Sequence, residues 1–225
     1  MSKAIDRKEQ KLIFFDLDGT LVSGYEYIWQ HLWIHFGVEL EISKKRRLEY
    51  LNGKLSYKNW VDHDVKLLKS VGATKDSIIA AIQGGLRLTK GAIEVVHVLK
   101  DRGYKIFVLS GSIDVVLDIV IPDHSEIFEE VFINRFIFTQ EGELAEAIPT
   151  PYDEEHKATA IKNMSKKYGV PMSHCVFIGD NQNDVRAAVV AGTSIAFMPK
   201  SDELVDIADH IISEENLTKV LSFVS

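Results

Sequence analysis

The chain has 225 residues, of which 46% are hydrophobic and 26% are charged, with a net charge of −7 and a single cysteine. This composition is typical of a folded globular protein and excludes a disordered chain. The negative charge argues against a nucleic-acid partner, and one cysteine excludes an intrachain disulfide and fits a reducing compartment. No stretch is apolar enough to span a membrane or to serve as a signal peptide. We therefore expect a cytoplasmic monomer or homodimer.

The first predicted element is a buried strand at residues 12–15, four apolar residues that are followed by Asp16 and Asp18. A strand through Asp18 would point both acids to one face, whereas a turn at Gly19 would leave Asp16 at the carboxyl end of the strand. Two like charges beside an apolar strand are unfavourable unless a cation or hydrogen-bond donors compensate them. Taken alone, Asp-x-Asp-Gly is equally typical of a turn after a strand.

Helical spacing dominates from residue 25 to about residue 88, where no strand pattern occurs. We predict an inserted helical segment there, and it contains all three tryptophans, Trp29, Trp33 and Trp60. Their aromatic rings would form the core of this segment or, alternatively, line a substrate cleft. The basic run at residues 44–47 predicts a solvated helix face, with an anion-binding patch as the alternative.

Helices and strands alternate after residue 90. The predicted helices are 92–102, 114–120, 154–168 and 184–191, and the predicted strands are 105–109, 131–133, 175–178 and 194–197. A β-hairpin is expected from residues 136–139 and 144–147, and a helical stretch at the C-terminus. This alternation predicts an α/β fold, a Rossmann-like doubly wound parallel sheet. The core domain would comprise residues 1–22 and 89–225, and an α-helical cap residues 23–88.

Polar residues follow several of these strands where each strand ends. Ser110 follows one strand, the segment 179–184 with Asp180 follows another, and Lys157 opens a helix. Each feature alone is typical of a turn, a helix cap or a surface lysine. Because the carboxyl ends of parallel strands share one edge of the sheet, we expect them to meet Asp16 there. Carboxylates, a hydroxyl, a lysine and free backbone N–H groups suit a divalent cation together with a phosphate.

Four segments resemble, in order, the motifs of the haloacid dehalogenase (HAD) superfamily of phosphatases. They are DLDGT at 16–20, the apolar run that ends in Ser110, the helix that opens at Lys157, and GDNQND at 179–184. The helical segment lies between the first two motifs, as it does in the phosphoserine phosphatase-like subfamily. The resemblance covers nearly the whole chain.

This resemblance implies a role for each motif residue. Asp16 would be the nucleophile that forms an aspartyl-phosphate, and Asp18 would protonate the leaving alkoxide and then activate water. Mg²⁺ would be held by Asp16, the Asp18 carbonyl and Asp180. Ser110, the Gly111 amide and Lys157 would bind the phosphoryl group, with help from Asn183. Asp184 would support the metal and the lysine.

Two positions depart from that subfamily. Where that subfamily carries an acid that binds the substrate ammonium, this chain has Tyr25. Where the subfamily carries a cap arginine that binds the substrate carboxylate, this chain has Asp64. Both residues are predicted to bind substrate. An acid at position 64 would repel phosphoserine unless Arg46, Arg47 or Arg87 replaces the arginine, so we expect a larger or less polar leaving group.

The sequence therefore predicts a Mg²⁺-dependent phosphomonoesterase that acts on a small phosphorylated metabolite. One alternative is a phosphomutase of the same superfamily, which would need a bisphosphate activator. The other alternative is a non-catalytic phospho-ligand or receiver-like binding module, which would lack the long helical insertion.

Overall fold

A seven-stranded sheet organises residues 10–152 and 156–224, the part of the chain that the computed structural model describes. The strands are β1 (Lys11–Phe15), β2 (Val22–Ser23), β3 (Arg87–Leu88), β4 (Tyr104–Ile113), β5 (Glu130–Phe138), β6 (Leu144–Ile148), β7 (Cys175–Gly179), β8 (Thr193–Phe197) and β9 (His210–Ile212). The order in the main sheet is β6-β5-β4-β1-β7-β8-β9. Every neighbouring pair is parallel except β5–β6, which is antiparallel. The predicted α/β fold is confirmed.

The helices cover both faces of this sheet. They are α1 (Ile28–His35), α2 (Leu40–Leu51), α3 (Tyr57–Ser70), α4 (Lys75–Gln83), α5 (Ala92–Asp101), α6 (Asp114–Val120), α7 (His124–Ile127), α8 (Lys157–Tyr168), α9 (Val185–Val190) and α10 (Asp202–Ile207). Helices on both faces explain why β1 is apolar at successive positions rather than at alternate ones.

The side chains of β1 alternate between two buried clusters. Leu12 and Phe14 pack on one face, where the Phe14 ring stacks on Phe107 with centroids 4.7 Å apart. Ile13 and Phe15 belong to the cluster on the other face, which also contains the tryptophans of α1. Strand β1 thus lies in the middle of the fold, between β4 and β7, and its position determines where Asp16 emerges.

The four helices α1–α4 come between β2 and β3, within the segment 23–88 predicted as the cap. Ser56 accepts a hydrogen bond from the Asn59 amide at the start of α3, and Thr74 forms a capping box with Ser77 at the start of α4. Such caps satisfy amides that a helix leaves unpaired. Antiparallel pairing of β2 with β3, which the sequence analysis did not predict, brings both ends of the helical segment together.

Several boundaries differ from the prediction. The strand predicted at 131–133 and the first hairpin strand at 136–139 form one strand, β5, because its first half pairs with β4 and its second half with β6. The predicted C-terminal helical stretch contains strand β9, which pairs with β8. Residue 154, the predicted start of a helix, lies outside the described residues, and α8 is described from Lys157. Among the described residues, no helix is both long and apolar enough to cross a bilayer.

The central aromatic pair gives a test of this core. Replacing the buried Phe107 by alanine removes the ring that stacks on Phe14, and we expect the free energy of unfolding to fall by about 3–5 kcal/mol. Leu48→Ala, at a site that is 59% exposed, should change it by less than about 0.5 kcal/mol. Urea unfolding of both variants measures the difference, and equal losses would contradict the described core.

Candidate active site

The carboxyl ends of three neighbouring strands bring the predicted site residues together. Asp16 follows β1, and its backbone N–H donates to the Ile178 carbonyl of β7 at 2.9 Å. Strand β4 continues through Ser110, and Asp180 directly follows β7. All three side chains are buried and contribute to the wall of one cavity. The convergence expected from a parallel sheet is therefore present.

Lys157 is fully buried at the start of α8 and lies between two acids. Its Nζ is 3.0 Å from Asp16 Oδ1 and 2.7 Å from Asp184 Oδ1. The second oxygen of Asp184 accepts hydrogen bonds from the backbone N–H groups of Asp180 and Asn181, at 2.9 and 3.1 Å. Because a buried ammonium is tolerated only when it is paired, these contacts fix the position of Asp16 relative to the loop after β7.

Asp18 connects the sheet to the helical segment. Its Oδ1 accepts a hydrogen bond from the Ser112 hydroxyl and its Oδ2 accepts one from the Ile28 amide, each at 2.9 Å. Burial raises the pKa of the Asp18 carboxyl to about 7, and the nearby Asp16 charge adds to this rise, whereas the two hydrogen bonds oppose it. Asp18 can therefore hold or release a proton near neutral pH.

Three carboxylates could hold a metal ion at this edge. Asp16, Asp180 and Asp184 each offer an oxygen, and these oxygens lie within 4.8 Å of one another. Apart from contacts to lysine ammonium groups, the buried Asp16 Oδ1 and Asp180 Oδ2 accept no hydrogen bond within the described part of the chain. Burial and the Asp16 charge both raise the pKa of Asp180. Such a set of oxygens fits a hard dication, which would relieve the repulsion.

Gly19 makes close approach at this site possible. Its φ of +83° is in the left-handed region, and a Cβ there would lie 2.1 Å from Asp180 Oδ2. The DLDGT segment therefore turns at Gly19, immediately after Asp18. Of the two conformations considered for this segment, the turn is the one that the structure contains.

The cavity has a volume of about 450 Å³ and lies between the sheet edge and the helical segment. Its wall consists of Asp16, Asp18, Glu26, Tyr27, Trp29, Gln30, Trp33, Ser43, Lys44, Arg47, Tyr57, Trp60, Val61, Asp64, Ser110, Gly111, Ser112, Asp180, Asn181, Gln182 and Asn183. Trp29, Trp33 and Trp60 line this cavity and also pack inside the helical segment. The two positions considered for them, in the core of the segment and in the wall of a cleft, are therefore both occupied.

Three predicted site residues lie outside this wall. Lys157 is fully buried between Asp16 and Asp184, so the ammonium that was predicted to bind the phosphoryl group does not line the cavity. Tyr25 does not line the cavity: its ring stacks on His31 with centroids 5.1 Å apart. The neighbouring Glu26 and Tyr27 line the cavity instead. The prediction that Tyr25 binds substrate finds no support in this geometry.

Asp64 does line the cavity, and its side chain is almost fully buried on α3. Burial raises its pKa to about 8, although Trp60 and Arg46 oppose the rise. His63 Nδ1 lies 3.2 Å from the Asp64 carboxyl. At neutral pH this carboxyl is therefore mainly uncharged, and its repulsion of an anionic substrate is much weaker than the sequence analysis assumed.

The basic run on α2 is only partly solvated. Lys44 and Arg47 both line the cavity, although the Lys44 side chain is also 64% exposed and pairs with Glu41, as a solvated face predicts. They are three residues apart and thus lie on one side of the helix. The cavity wall therefore includes positively charged side chains from α2, and Arg47 is one of the replacements that the sequence analysis allowed.

Sequence reasoning missed Asn134, which is fully buried in β5. Its Nδ2 donates to the carbonyls of Gly111 and Ser112, at 2.7 and 3.1 Å, and its Oδ1 accepts from the Tyr57 hydroxyl at 3.1 Å. The Trp29 indole N–H also donates to the Gly111 carbonyl, at 2.8 Å. These bonds hold the Ser110–Ser112 backbone against the helical segment. The available signal was an asparagine between the apolar runs 131–133 and 136–138.

Comparison with known proteins agrees with this geometry. A family model described as haloacid dehalogenase-like hydrolase matches residues 10–192. The phosphoserine phosphatase of Methanocaldococcus jannaschii is 32% identical over 218 residues, which cover 96% of this chain and 99% of that protein. The phosphoserine phosphatase of Archaeoglobus fulgidus is also 32% identical, over 216 residues, and the match spans 60% of its length.

Solved structures give the same result. A phospho-aspartyl intermediate analogue of a phosphoserine phosphatase has a TM-score of 0.75 and 30% identity, and the match covers 97% of this chain and 100% of that one. A phosphoserine phosphatase in its apo form has a TM-score of 0.76 and 27% identity, with coverages of 96% and 100%. The match therefore includes both the sheet and the helical segment.

The raised pKa of Asp64 predicts a pH-dependent stability. An aspartate with a pKa near 3.9 when unfolded and about 8 when folded makes the folded state lose stability as the pH rises between those values. Asp64→Asn removes this loss. We expect the free energy of unfolding of the variant, relative to that of the unsubstituted protein, to rise by about 2–3 kcal/mol between pH 5 and pH 7. Urea unfolding at both pH values measures this change.

Asp62→Asn is the matched control, because it removes a partly exposed acid from the same helix, one that pairs with Lys58. It should give a much smaller change with pH. An equal change in the two variants would contradict the buried, uncharged state of Asp64.

Proposed function

Because this chain belongs to the haloacid dehalogenase-like hydrolase family, as its four motifs predicted, we propose that it is a Mg²⁺-dependent phosphomonoesterase that works through an aspartyl-phosphate on Asp16. The observation that carries the proposal is the environment of Asp16. Its carboxylate lies at the end of the central strand, lines a cavity large enough for a small metabolite, and is oriented by the buried ammonium of Lys157.

In the first half-reaction, a carboxylate oxygen of Asp16 attacks phosphorus and the bond from phosphorus to the leaving oxygen breaks. The Asp18 carboxyl donates its proton to that oxygen, so the product leaves as an alcohol. The hydroxyl of Ser110 and the amide of Gly111, with Asn183 on the same wall, bind the oxygens of the phosphoryl group. Lys157 supplies positive charge from behind Asp16.

In the second half-reaction, water attacks the phosphorus of the aspartyl-phosphate. Asp18, now ionised, accepts a proton from this water, and the bond to the Asp16 oxygen breaks to release inorganic phosphate. The same carboxyl thus acts as acid and then as base, which suits a group whose pKa burial has raised to about 7. Its hydrogen bonds to Ser112 and Ile28 keep it at the junction of sheet and helical segment throughout.

Asp16, the Asp18 carbonyl and Asp180 would hold the Mg²⁺, and Asp184 would support both the metal ligands and Lys157. When bound, the ion supplies positive charge that offsets the charge of the acids and of the phosphoryl oxygens. Buried oxygens that lack other donors and the close approach that Gly19 allows support this assignment.

The helical segment 23–88 acts in this proposal as a cap that binds the leaving group. Arg47 and Lys44 offer positive charge, Glu26 offers negative charge, and the aromatic side chains enclose the space between them. This arrangement suits a small phosphomonoester with an anionic group on its leaving alcohol. The expectation that phosphoserine is disfavoured rested on Tyr25 and on Asp64 without a substitute arginine. The raised pKa of Asp64 and the presence of Arg47 and Glu26 on the cavity wall weaken that expectation. A cytoplasmic location and a monomeric or homodimeric state stay predictions from the sequence.

Asp16→Asn gives the first test of this function. Because an amide cannot act as the nucleophile, hydrolysis of p-nitrophenyl phosphate with Mg²⁺ should fall far below a tenth of the activity of the unsubstituted enzyme. Phosphate release and the change in protein mass after acid quenching measure both half-reactions. Asp76→Asn, which removes an exposed acid from α4, is the control. Retention of a tenth or more of the activity by Asp16→Asn would refute the nucleophile.

Arg47→Gln gives a separate test of the leaving-group site. If Arg47 binds an anionic group, kcat/KM for O-phosphoserine should fall by about tenfold or more, mainly through KM. The activity on p-nitrophenyl phosphate, whose leaving group carries no such anion, should stay within about threefold. Lys45→Gln, on the same helix but outside the cavity wall, is the matched control. Equal losses on both substrates would refute the assigned role of Arg47.

A further inference from the structure

A second lysine, which the motifs did not indicate, contacts the proposed metal site. The Nζ of Lys200 lies 2.7 Å from Asp180 Oδ2. The Asp180 side chain is only 2% exposed, whereas that of Lys200 is 38% exposed, so the ammonium reaches a buried carboxylate from the solvent side. Lys157 differs from it, because its side chain has no exposed surface and already bridges two other acids.

The backbone places Lys200 at this carboxylate. Its backbone N–H donates to the Asp180 carbonyl at 2.7 Å, so the same two residues meet through both main chain and side chain. The Ser201 hydroxyl donates to Gln182 Oε1 at 2.7 Å, and the Gln182 amide group donates to the Glu203 carboxylate. Residues 200, 201 and 203 thus contact Asp180 and Gln182, which follow β7.

Met198 directly follows β8 and precedes the attached residues. Its φ of +44° is the only left-handed value among the non-glycine residues that the structure describes. Its backbone N–H donates to the Ile212 carbonyl at 2.7 Å, which holds the turn at the end of β8. A strained backbone that persists in a fold is often associated with a functional position. Here it directs the chain back toward Asp180.

The Lys200 ammonium also lies against the DLDGT turn. A Cβ on Gly19 would be 2.8 Å from Lys200 Nζ and 2.1 Å from Asp180 Oδ2. The ammonium is therefore adjacent to the backbone that follows the Asp18 carbonyl. A dication held by Asp16, Asp180 and that carbonyl would therefore lie close to the Lys200 ammonium, because this ammonium is paired with Asp180, one of the ligands.

We propose that Lys200 is the counter-ion of Asp180 in the metal-free enzyme and that it competes with Mg²⁺ for this carboxylate. The inference rests on the proposed function, because it assumes that Asp180 is a ligand of the ion. A carboxylate oxygen paired with an ammonium is a poorer ligand, and two positive charges a few ångströms apart repel each other. Since Lys200 is partly exposed, its flexible stem can withdraw into solvent when the ion binds. The pair thus sets the Mg²⁺ concentration that the enzyme requires.

Lys200→Met tests this inference, because it keeps the stem and the backbone hydrogen bond and removes only the charge. Mg²⁺ binding is measured without substrate, by calorimetry and by the shift of Tm with Mg²⁺ concentration. We expect Lys200→Met to bind Mg²⁺ about tenfold or more tightly than the unsubstituted protein. In chelator its Tm should be lower, because Asp180 loses its counter-ion. Lys200→Arg, which keeps the charge, should stay within about threefold of the original affinity.

Lys219→Met is the control, because Lys219 forms an exposed ion pair with Glu214 outside the cavity wall. It should leave Mg²⁺ affinity unchanged. Lys200→Gln repeats the comparison with a second uncharged side chain if the methionine variant folds poorly. Equal or weaker Mg²⁺ binding by the uncharged variants would overturn the role of Lys200 and leave the phosphatase assignment intact. No Mg²⁺ binding by the unsubstituted protein would overturn both proposals.

Discussion

The buried ammonium of Lys157 is the interaction on which the site depends. It lies between Asp16 and Asp184, and no part of its side chain is exposed. A charge so deep in a protein is tolerated only with close partners, and removal of either partner would leave an uncompensated charge. The end of β1, the start of α8 and the loop after β7 are therefore held in one arrangement by one side chain.

Four aspartates and two lysines supply the charges of the site in the described part of the chain. Two lysines approach the four aspartates from different directions, Lys157 from the interior and Lys200 from the solvent side. Burial raises the pKa of Asp18, so that one of the four acids can be uncharged near neutral pH. A dication and a phosphoryl group bring opposite charges to this set. In the proposed function, the site offers positions for both before the reaction begins, as phosphoryl transfer requires.

The helical segment and the sheet are joined through the same residues that form the site. Asp18 binds the first amide of α1, and Trp29 and Asn134 bind the carbonyl of Gly111. A substrate in the cavity therefore touches a wall that belongs to both parts. Any change in the position of the helical segment acts directly on Asp18 and on the backbone of Gly111.

The sequence by itself determined the parallel α/β fold, the family and the motif residues. Those signals are local: an apolar run followed by Asp16, a strand that ends at Ser110, and a helix that opens at Lys157. Only the tertiary structure decided which side chains from the helical segment and from the end of β8 face the cavity. Arg47 and Glu26 line the cavity, Tyr25 does not, and Lys200 contacts Asp180. Their positions depend on helix orientation and on long-range packing, which the periodicity of a single sequence does not encode.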